Sequence, residues 1–268
     1  MAETLRLVGK IMGAVVSCKG SHWYVSITVE LETPAPQAFE KDVVGIDLGL
    51  KTLMVLSDGT QRENQTLLRS ELTHLKRLAR RLSRRKLFSQ RWYRAKERLA
   101  HFQERIANRR ADYLHKTTTP IARTYAVVGL EDLNVAGMLK NHHLALSLSD
   151  AAFGEIRRQL EYKCAGFGGH VVTVDRFFPS SRLCGACGAK HDGLTLADRE
   201  WVCPTCGALH PRDPNAARNI ELEVRRFLGK TPVVATSGVK ARGEDVRPAG
   251  YLAIPDETRI FERSLLNT

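Results

Sequence analysis

The run Val43-Val44-Gly45-Ile46-Asp47-Leu48-Gly49 decides the fold class. Its apolar residues are consecutive rather than alternating with polar ones, which is typical of a strand buried on both faces of a sheet. Asp47 is the one charged residue in the run, and burying a carboxylate costs free energy unless a positive partner compensates its charge. The run therefore predicts a central strand with an acidic residue at its end.

The segments on either side of this run predict a mixed α/β fold. Further strands are predicted from apolar or alternating patterns at 10–18, 23–31, 52–56, 125–130 and 171–174. Helices are predicted from their periodicity at about 67–116, 149–166 and 213–227. In the last helix, we expect Asp213 to be the N-cap and Pro214 to take the first helical position.

Length and composition limit the class of protein. The chain has 268 residues, of which 43% are hydrophobic, so it can bury a core and is not wholly disordered. It contains no run of about eighteen apolar residues, which excludes a membrane-spanning helix. The first ten residues lack the apolar stretch of a secretory signal. We therefore expect a soluble, cytoplasmic protein.

The charge is strongly positive and unevenly distributed. The net charge is +12, which is compatible with a nucleic acid partner, with ordinary solubility charge or with attraction to an anionic membrane surface. The helical segment 67–116 contains only four acidic residues, whereas a solvated helix usually mixes both signs. This imbalance favours nucleic acid contact over a plain charged face. The candidate contact residues are Lys76, Arg77, Arg80, Arg81, Arg84, Arg85, Arg91 and Arg94.

Four of the six cysteines form two Cys-x-x-Cys pairs with fifteen residues between them, namely Cys184, Cys187, Cys203 and Cys206. This spacing predicts a four-thiolate zinc ribbon, whose closed tetrahedral ligand set makes the ion structural rather than catalytic. Disulfides are disfavoured in the cytosol, a redox pair needs only one motif, and an iron–sulfur cluster is the remaining competitor. We expect His191 and His210 to be surface residues, and Cys18 and Cys164 to be small buried hydrophobic residues.

Three acidic residues stand at the ends of predicted elements: Asp47, Glu131 and Asp213. Taken singly, each has a structural explanation as a strand-end residue or a helix cap. Taken together, they suggest a site where clustered carboxylates repel one another and divalent cations relieve that repulsion. Two Mg²⁺ ions about 4 Å apart, for which Mn²⁺ can substitute, would suit phosphodiester hydrolysis there.

Several ordered motifs resemble the transposon-encoded TnpB (OrfB) family of RNA-guided nucleases, which is related to type V CRISPR effectors. The similar blocks are Gly45-Ile46-Asp47-Leu48-Gly49-Leu50-Lys51, Glu131-Asp132-Leu133-Asn134-Val135, the two cysteine pairs, and Arg212-Asp213-Pro214-Asn215-Ala216-Ala217-Arg218-Asn219-Ile220. The blocks at 175–181 and 196–201 also look like family motifs. The resemblance covers about residues 10–227.

The resemblance implies an RNase H-like (RuvC) mixed sheet with flanking helices, a basic helical insert and a zinc-ribbon insert. The expected domains are a remnant of an N-terminal β-barrel (wedge) domain at 1–36, a RuvC nuclease core at 37–183 with the basic insert at about 67–116, the zinc ribbon at 184–207, a final RuvC segment at 208–228 and a disordered tail at 229–268. Because the family normally begins with more of the barrel and a helical segment, the chain resembles an N-terminally truncated member.

The resemblance also implies an activity and its partners. It implies a metal-dependent, RNA-guided DNA endonuclease associated with insertion-sequence transposition, which leaves 5′-phosphate and 3′-hydroxyl ends. Asp47 would bridge two Mg²⁺ ions, with Glu131 and Asp213 completing opposite sides. Pro211 stands where the family usually has a further Asp. The expected partners are DNA and a guide RNA in a prokaryotic, nucleoid-associated setting.

Two other functions stay open. A nucleic-acid-binding remnant would occupy DNA or RNA without cutting it, although it would not need three intact acids. A zinc-ribbon scaffold would use those acids only to cap structure.

Overall fold

The computed structural model describes residues 9–19, 22–30, 38–195 and 197–230. In chain order these residues form β1 (Lys10–Lys19), β2 (His22–Glu30), β3 (Lys41–Leu48), β4 (Thr52–Leu56), β5 (Gln61–Glu63), α1 (Leu67–Ser83), α2 (Gln90–Thr124), β6 (Tyr125–Glu131), α3 (Val135–Met138), α4 (His142–Ala151), α5 (Phe153–Phe167), β7 (His170–Val174), β8 (Glu200–Val202), β9 (Leu209–Pro211) and α6 (Arg212–Lys230). The tail predicted at 229–268 lies outside the described residues from 231 onward, and its first two residues end α6.

A mixed sheet with the strand order β5-β4-β3-β6-β7 is the centre of the fold. β3, β4 and β5 pair antiparallel, whereas β3 pairs with β6, and β6 with β7, in parallel. The predicted mixed α/β fold is therefore confirmed, and the strand that carries Asp47 is the central one.

Both faces of β3 are buried, as its continuous apolar run predicts. One face contributes Val44 and Ile46 to the main core, which also contains Leu114 of α2 and Leu160 of α5. The opposite face contributes Val43 to a second cluster formed with residues of α6 and β7: Val174, Ile220 and Val224. Helices therefore cover the central strands from both sides.

Two glycines let α6 lie directly on the sheet. A Cβ atom at Gly45 would be 2.1 Å from the carbonyl oxygen of Ala217, and one at Gly129 would be 2.7 Å from a methyl group of Val224. Gly45 and Gly129 are paired in register on adjacent strands. Because neither residue has a side chain, α6 lies directly against the two strands here, and we call this contact the seat of α6. The contact sets the position of the first turn of the helix.

The helical segment predicted at 67–116 consists of two helices, and the second continues to Thr124. The hydroxyl groups of Thr117, Thr118 and Thr119 donate to carbonyl oxygens four residues earlier, at 2.7–2.8 Å, so these residues fit within α2. Pro120 also lies inside the helix, where its side chain is exposed. Burial of the neighbouring apolar residues against the sheet outweighs the weak helix propensity of this stretch.

Two other helix boundaries differ from prediction. The helix predicted from 149 is interrupted at Ala152, whose φ of 51° ends α4 and starts α5. Asp150, in the last turn of α4, lies beside the first turn of α1. Its carboxylate accepts hydrogen bonds there from the amides of Leu68 and Arg69. α6 begins at Arg212, so Asp213 lies in its first turn and the prediction that it is the N-cap is wrong.

The two predicted N-terminal strands form an antiparallel ribbon, β1 with β2. Large apolar side chains on both faces of this ribbon are exposed, among them Val15, Val16 and Trp23. Cys18 lies on this ribbon and is exposed, so the prediction that it is buried is wrong. Cys164 is buried as predicted.

None of the helices in the described part of the chain is both long enough and apolar enough to span a bilayer.

Candidate functional site

Asp47 and Glu131 lie side by side at the carboxyl ends of two parallel strands. Ile46 of β3 is paired with Leu130 of β6, so the next residue of each strand is one of the two acids. Side chains alternate along a strand, so Asp47 and Glu131 are on the face that carries Gly45 and Gly129 two residues earlier. This is the face that α6 covers.

Asp213 reaches the same place from the first turn of α6. Ala217, one helical turn later, has its carbonyl oxygen directly over Gly45. The sheet and the helix therefore bring together three acids that are far apart in sequence. All three side chains are half-buried.

The electrostatics of the site show that the acids interact. Burial, followed by the charges of Glu131 and Asp213, raises the pKa of Asp47 to about 7. Arg212 acts in the opposite direction but does not cancel these effects. Near neutral pH the site therefore contains more negative charge than its own residues compensate, and a positive ion placed there would be stabilised.

The neighbouring Asp132 has the opposite environment. Arg157 contacts one of its carboxylate oxygens at 3.0 Å, and Arg176 contacts the other at 2.6 Å. The hydrogen bonds from Arg176 and Arg157 lower the pKa of Asp132. Asp132 is thus charged and already paired, which leaves Glu131 as the acid of this pair that faces Asp47.

Further residues lie around the acids, and the sequence marked them only as parts of family-like blocks without assigning them a role. The hydroxyl of Ser180 donates to Oε1 of Glu131, and Nη1 of Arg199 lies 3.8 Å from Oδ1 of Asp213. Arg212, whose charge acts on Asp47, donates to the carbonyl oxygen of Thr195 at 2.6 Å.

Two buried asparagines on α6 fasten the segment that precedes the first cysteine pair. Nδ2 of Asn219 donates to the carbonyl oxygens of Ser180 and Leu183, at 2.7 and 2.8 Å. Asn215 donates to the carbonyl oxygen of Leu183 at 2.7 Å and accepts from the amide of Gly185 at 2.9 Å. The sequence signal that could have indicated this contact is a pair of asparagines four residues apart on the apolar side of an amphipathic helix, because buried polar side chains need hydrogen-bond partners.

The four predicted cysteines converge, and their sulfur atoms all lie within 4.8 Å of one another. Cys184 and Cys206 are 3.6 Å apart between sulfurs, and Cys187 and Cys203 are 3.7 Å apart. A tetrahedron with zinc–sulfur bonds of about 2.3 Å has edges of about 3.8 Å. The cluster therefore has the size that a zinc ion requires. Among the described residues, it is the one group of three or more His, Cys, Asp or Glu side chains that meets this distance criterion.

The two cysteine pairs have the same backbone geometry. The amides of Gly188 and Gly207 donate to the carbonyl oxygens of Cys184 and Cys203, at 2.8 and 2.9 Å. Both glycines have positive φ, 74° and 73°, a conformation in which a side chain would be strained. The glycine after each pair is therefore required for the tight bend, as the sequence indicates.

His210 and His191, predicted to be surface residues, are half-buried, and each packs against Trp201 rather than standing free in solvent. Pairing of β8 with β9 places His210 opposite Trp201, with ring centroids 5.0 Å apart. Nε2 of His210 lies 2.9 Å from the sulfur of Cys184. His191 meets the edge of Trp201 at 5.6 Å, and both histidines are half-buried. His210 thus contacts a cluster ligand without completing the ligand set.

The eight basic residues proposed from the sequence all lie on α1, on α2 or in the turn between them. Every one of them is exposed. Leu68 and Leu75 of α1 are buried, so the apolar side of that helix faces inward and its arginines face outward. The structure thus presents a continuous basic surface on a helical hairpin.

Comparison with known proteins identifies two regions. Residues 26–142 match the OrfB_IS605 family, described as "Probable transposase", and residues 153–220 match the Cas12f1-like TNB domain. A "Putative RNA-guided DNA endonuclease" from Streptomyces pristinaespiralis is 40% identical over 230 residues, which are 86% of this chain and 54% of that protein. "Putative RNA-guided DNA endonuclease InsQ" from Escherichia coli K12 is 34% identical, over 80% of this chain and 57% of that protein. The chain spans about half the length of these curated relatives.

A solved structure shares the fold. The "Cas12f1-sgRNA-target DNA complex" matches 74% of this chain and 42% of its own protein chain, with a TM-score of 0.55 and 17% identity.

Proposed function

Because this chain belongs to the OrfB (TnpB) family, we propose that it hydrolyses DNA phosphodiester bonds under the guidance of an RNA, in association with insertion-sequence transposition. The observation that carries the proposal is the meeting of Asp47, Glu131 and Asp213 at one edge of the sheet. Burial and the other two acids raise the pKa of Asp47 to about 7 there. Three clustered acids that served only a structural role would be a net cost to stability, because their repulsion and burial raise the pKa of Asp47 even though Arg199 lies near Asp213.

The proposed fold of the catalytic core is RNase H-like (RuvC). Three antiparallel strands followed by two parallel ones support this assignment, with the acids on the central strand, its parallel neighbour and the helix that covers them. The core would comprise 37–183 and 208–228, with the basic hairpin and the zinc ribbon at 184–207 as inserts. The ribbon β1–β2 would belong to the wedge domain.

The three acids fit a pair of divalent cations. Asp47, Glu131 and Asp213 would hold them through their carboxylate oxygens. When bound, Mg²⁺ or Mn²⁺ would stabilise charge on the phosphodiester and make water a better nucleophile near neutral pH. Hydrolysis then adds water across one P–O bond, which leaves a 5′-phosphate and a 3′-hydroxyl.

The remaining residues orient the acids. Ser180 fixes one oxygen of Glu131 by donating to it, which leaves the other oxygen free to face Asp47. Arg157 and Arg176 neutralise Asp132, so it adds no further repulsion to the site.

The four cysteines would hold one structural zinc ion, and the basic hairpin would bind DNA and guide RNA in the prokaryotic nucleoid.

The test is cleavage of end-labelled single-stranded DNA by the purified chain with Mg²⁺ or Mn²⁺, alone and with RNA that copurifies from the host. Asp47→Ala, Glu131→Ala and Asp213→Ala should each lower the rate by about a hundredfold or more while leaving DNA binding intact, because each loses a metal ligand. Asp42→Ala is the matched control, since Asp42 is an exposed acid on the same strand.

Two results would contradict the proposal. Cleavage that persists in all three variants would show that these acids are not the catalytic ones. Binding without any cleavage by the unaltered chain, with either metal ion and with RNA, would favour the non-cleaving alternative.

A further inference from the structure

The turn between α1 and α2 exposes several large apolar side chains. We call residues 84–94 the hairpin tip; it extends from the residue that follows α1 into the first turn of α2. Within it, Phe88 is 73% exposed, Leu87 is 63% exposed and Tyr93 is 51% exposed. Scattered apolar residues are common on protein surfaces, but a cluster at the end of a projecting element indicates an interaction site.

The aromatic rings of the hairpin tip form one connected group. The ring centroids of Phe88 and Trp92 are 5.7 Å apart, and those of Trp92 and Tyr93 are 5.1 Å apart and nearly perpendicular. The ammonium of Lys96 lies 5.2 Å from the centre of the Trp92 ring. The group therefore offers aromatic surface with positive charge beside it.

The backbone holds Phe88 outward at some energetic cost. Its φ is 62°, in the left-handed region, which is unusual for a bulky residue. The next residue, Ser89, stabilises this geometry, because its hydroxyl accepts from the amide of Trp92 at 3.2 Å and its own amide donates to the carbonyl oxygen of Lys86. A strained, exposed aromatic residue that the surrounding turn fixes in place is typical of a functional position.

The charge around the hairpin tip is of one sign. Between Glu71 and Glu97 the sequence has no acidic residue and ten lysines and arginines. Five of these are exposed residues within the tip itself: Arg84, Arg85, Lys86, Arg91 and Arg94. A polyanion is the partner that this charge complements, whereas an apolar protein surface would gain nothing from it.

We propose that the hairpin tip is a stacking platform for unpaired nucleobases of the bound polynucleotide. It rests on the proposed function only in taking nucleic acid as the ligand. Phe88 and Trp92 would stack on a base whose own neighbours have been separated, while the arginines contact the flanking phosphates. Base pairs inside a duplex are already stacked, so the site selects single strands, junctions or displaced strands.

Fluorescence of 2-aminopurine tests this directly, because its emission is quenched when it stacks. Two single-stranded oligonucleotides, one DNA and one RNA, each carry one 2-aminopurine, and the full chain is titrated into each. Binding should quench the emission, and Phe88→Ala and Trp92→Ala should each remove most of the quenching and weaken binding by about five- to a hundredfold.

Matched variants separate stacking from charge and from folding. Tyr162→Ala removes an exposed aromatic residue of α5 that also has a cation near its ring. This variant should change neither the quenching nor the affinity for the oligonucleotides. Arg84→Gln with Arg85→Gln should flatten the dependence of affinity on salt, whereas Phe88→Ala should leave that slope unchanged, because it removes no phosphate contact. Helix content and melting temperature of Phe88→Ala should match those of the unaltered chain, since Phe88 is exposed.

The outcomes are decisive in either direction. Quenching that persists in both aromatic variants overturns the proposal, even if cleavage of DNA is normal. Self-association that disappears in Phe88→Ala, without a change in oligonucleotide binding, would assign the tip to a protein contact instead. Quenching that depends on Phe88 in a chain that never cleaves DNA would support stacking while refuting the nuclease, so the two proposals fail separately.

Discussion

Asp47 and Asp132 show that the environment of a carboxylate, rather than its residue type, decides its role. Asp132 is paired with two arginines, which lower its pKa. Asp47 lies only one strand away, where burial and two neighbouring acids raise its pKa to about 7. A charge that the fold leaves uncompensated is a feature of sites that bind cations.

This difference predicts how stability depends on pH. Because the pKa of Asp47 is about 7 in the folded chain and 3.8 in the unfolded one, the folded state binds an extra proton between these values. The contribution of Asp47 to the free energy of unfolding is therefore fully present below about pH 4, falls as the pH rises toward 7, and is constant above pH 7. Asp47→Asn should remove this slope and stabilise the metal-free chain at pH 8 by on the order of 1 kcal/mol.

Thermal melting at pH 5 and pH 8 in buffer free of Mg²⁺ and Mn²⁺ measures this effect. Asp42→Asn, on the same strand but exposed, should retain the pH dependence of the unaltered chain. Parallel pH profiles for the unaltered chain and Asp47→Asn would contradict the prediction.

The sequence identified the three acids because each interrupts or ends a regular apolar pattern. It marked Ser180 only as part of the family-like block at 175–181, and it did not indicate that this hydroxyl orients Glu131, because a serine in a loop has no periodic pattern that would show its partner. It did not anticipate the contact between His210 and Cys184, because a complete set of four thiolates gave the histidine no expected role. Sequence periodicity carries no information about contacts between the side chains of distant segments.

At the scale of elements, the seat of α6 on the sheet brings the third acid to the other two. The positions of six of the nine described strands followed from their apolar or alternating patterns, but the close approach of the helix did not, because Gly45 lies within an apolar run. The breaks at Ala152 and near residue 84 were missed for a related reason: tertiary packing, rather than local propensity, sets where those helices end.

Gly45→Ala tests this seat. The new Cβ would lie 2.1 Å from a backbone oxygen of α6, so the helix must move and carry Asp213 away from Asp47. We expect a loss of about 1–3 kcal/mol of stability, together with a larger loss of cleavage than the destabilisation explains. Urea unfolding and cleavage assays measure the two quantities.

Gly154→Ala is the control, because a Cβ there meets nothing within 4 Å and its helix should become slightly more stable. Unchanged stability and activity in Gly45→Ala would show that α6 is not fixed by this contact.

At the scale of the whole molecule, the cysteine cluster is mechanically joined to the acids. Asn215 and Asn219 of α6 hold the chain from Ser180 to Gly185, and Ser180 in turn bonds Glu131. A metal ion that stabilises the cysteine cluster therefore also stabilises the position of Glu131, although it would take no part in the chemistry.

Loss of zinc should thus reduce cleavage even when Mg²⁺ is saturating. Cys184→Ser should abolish zinc binding, lower the melting temperature by about 10 °C and reduce cleavage in proportion to the zinc lost, because ligation free energy contributes to folding. Atomic absorption, melting curves and cleavage assays on the same preparations provide the measurements. Cys18→Ser, which alters an exposed cysteine outside the cluster, should match the unaltered chain. A zinc-free chain that melts and cleaves normally would rule out this coupling.

The helical hairpin leaves the sheet after β5 and returns at β6, which is the immediate neighbour of β3. Its two ends are therefore anchored on the sheet, while its length is set only by how far the paired helices extend. Insertion or removal of whole turns in both helices would therefore change how far this arm extends without disturbing the spacing of the acids. The length of the arm and the position of the acids are independent features of the fold.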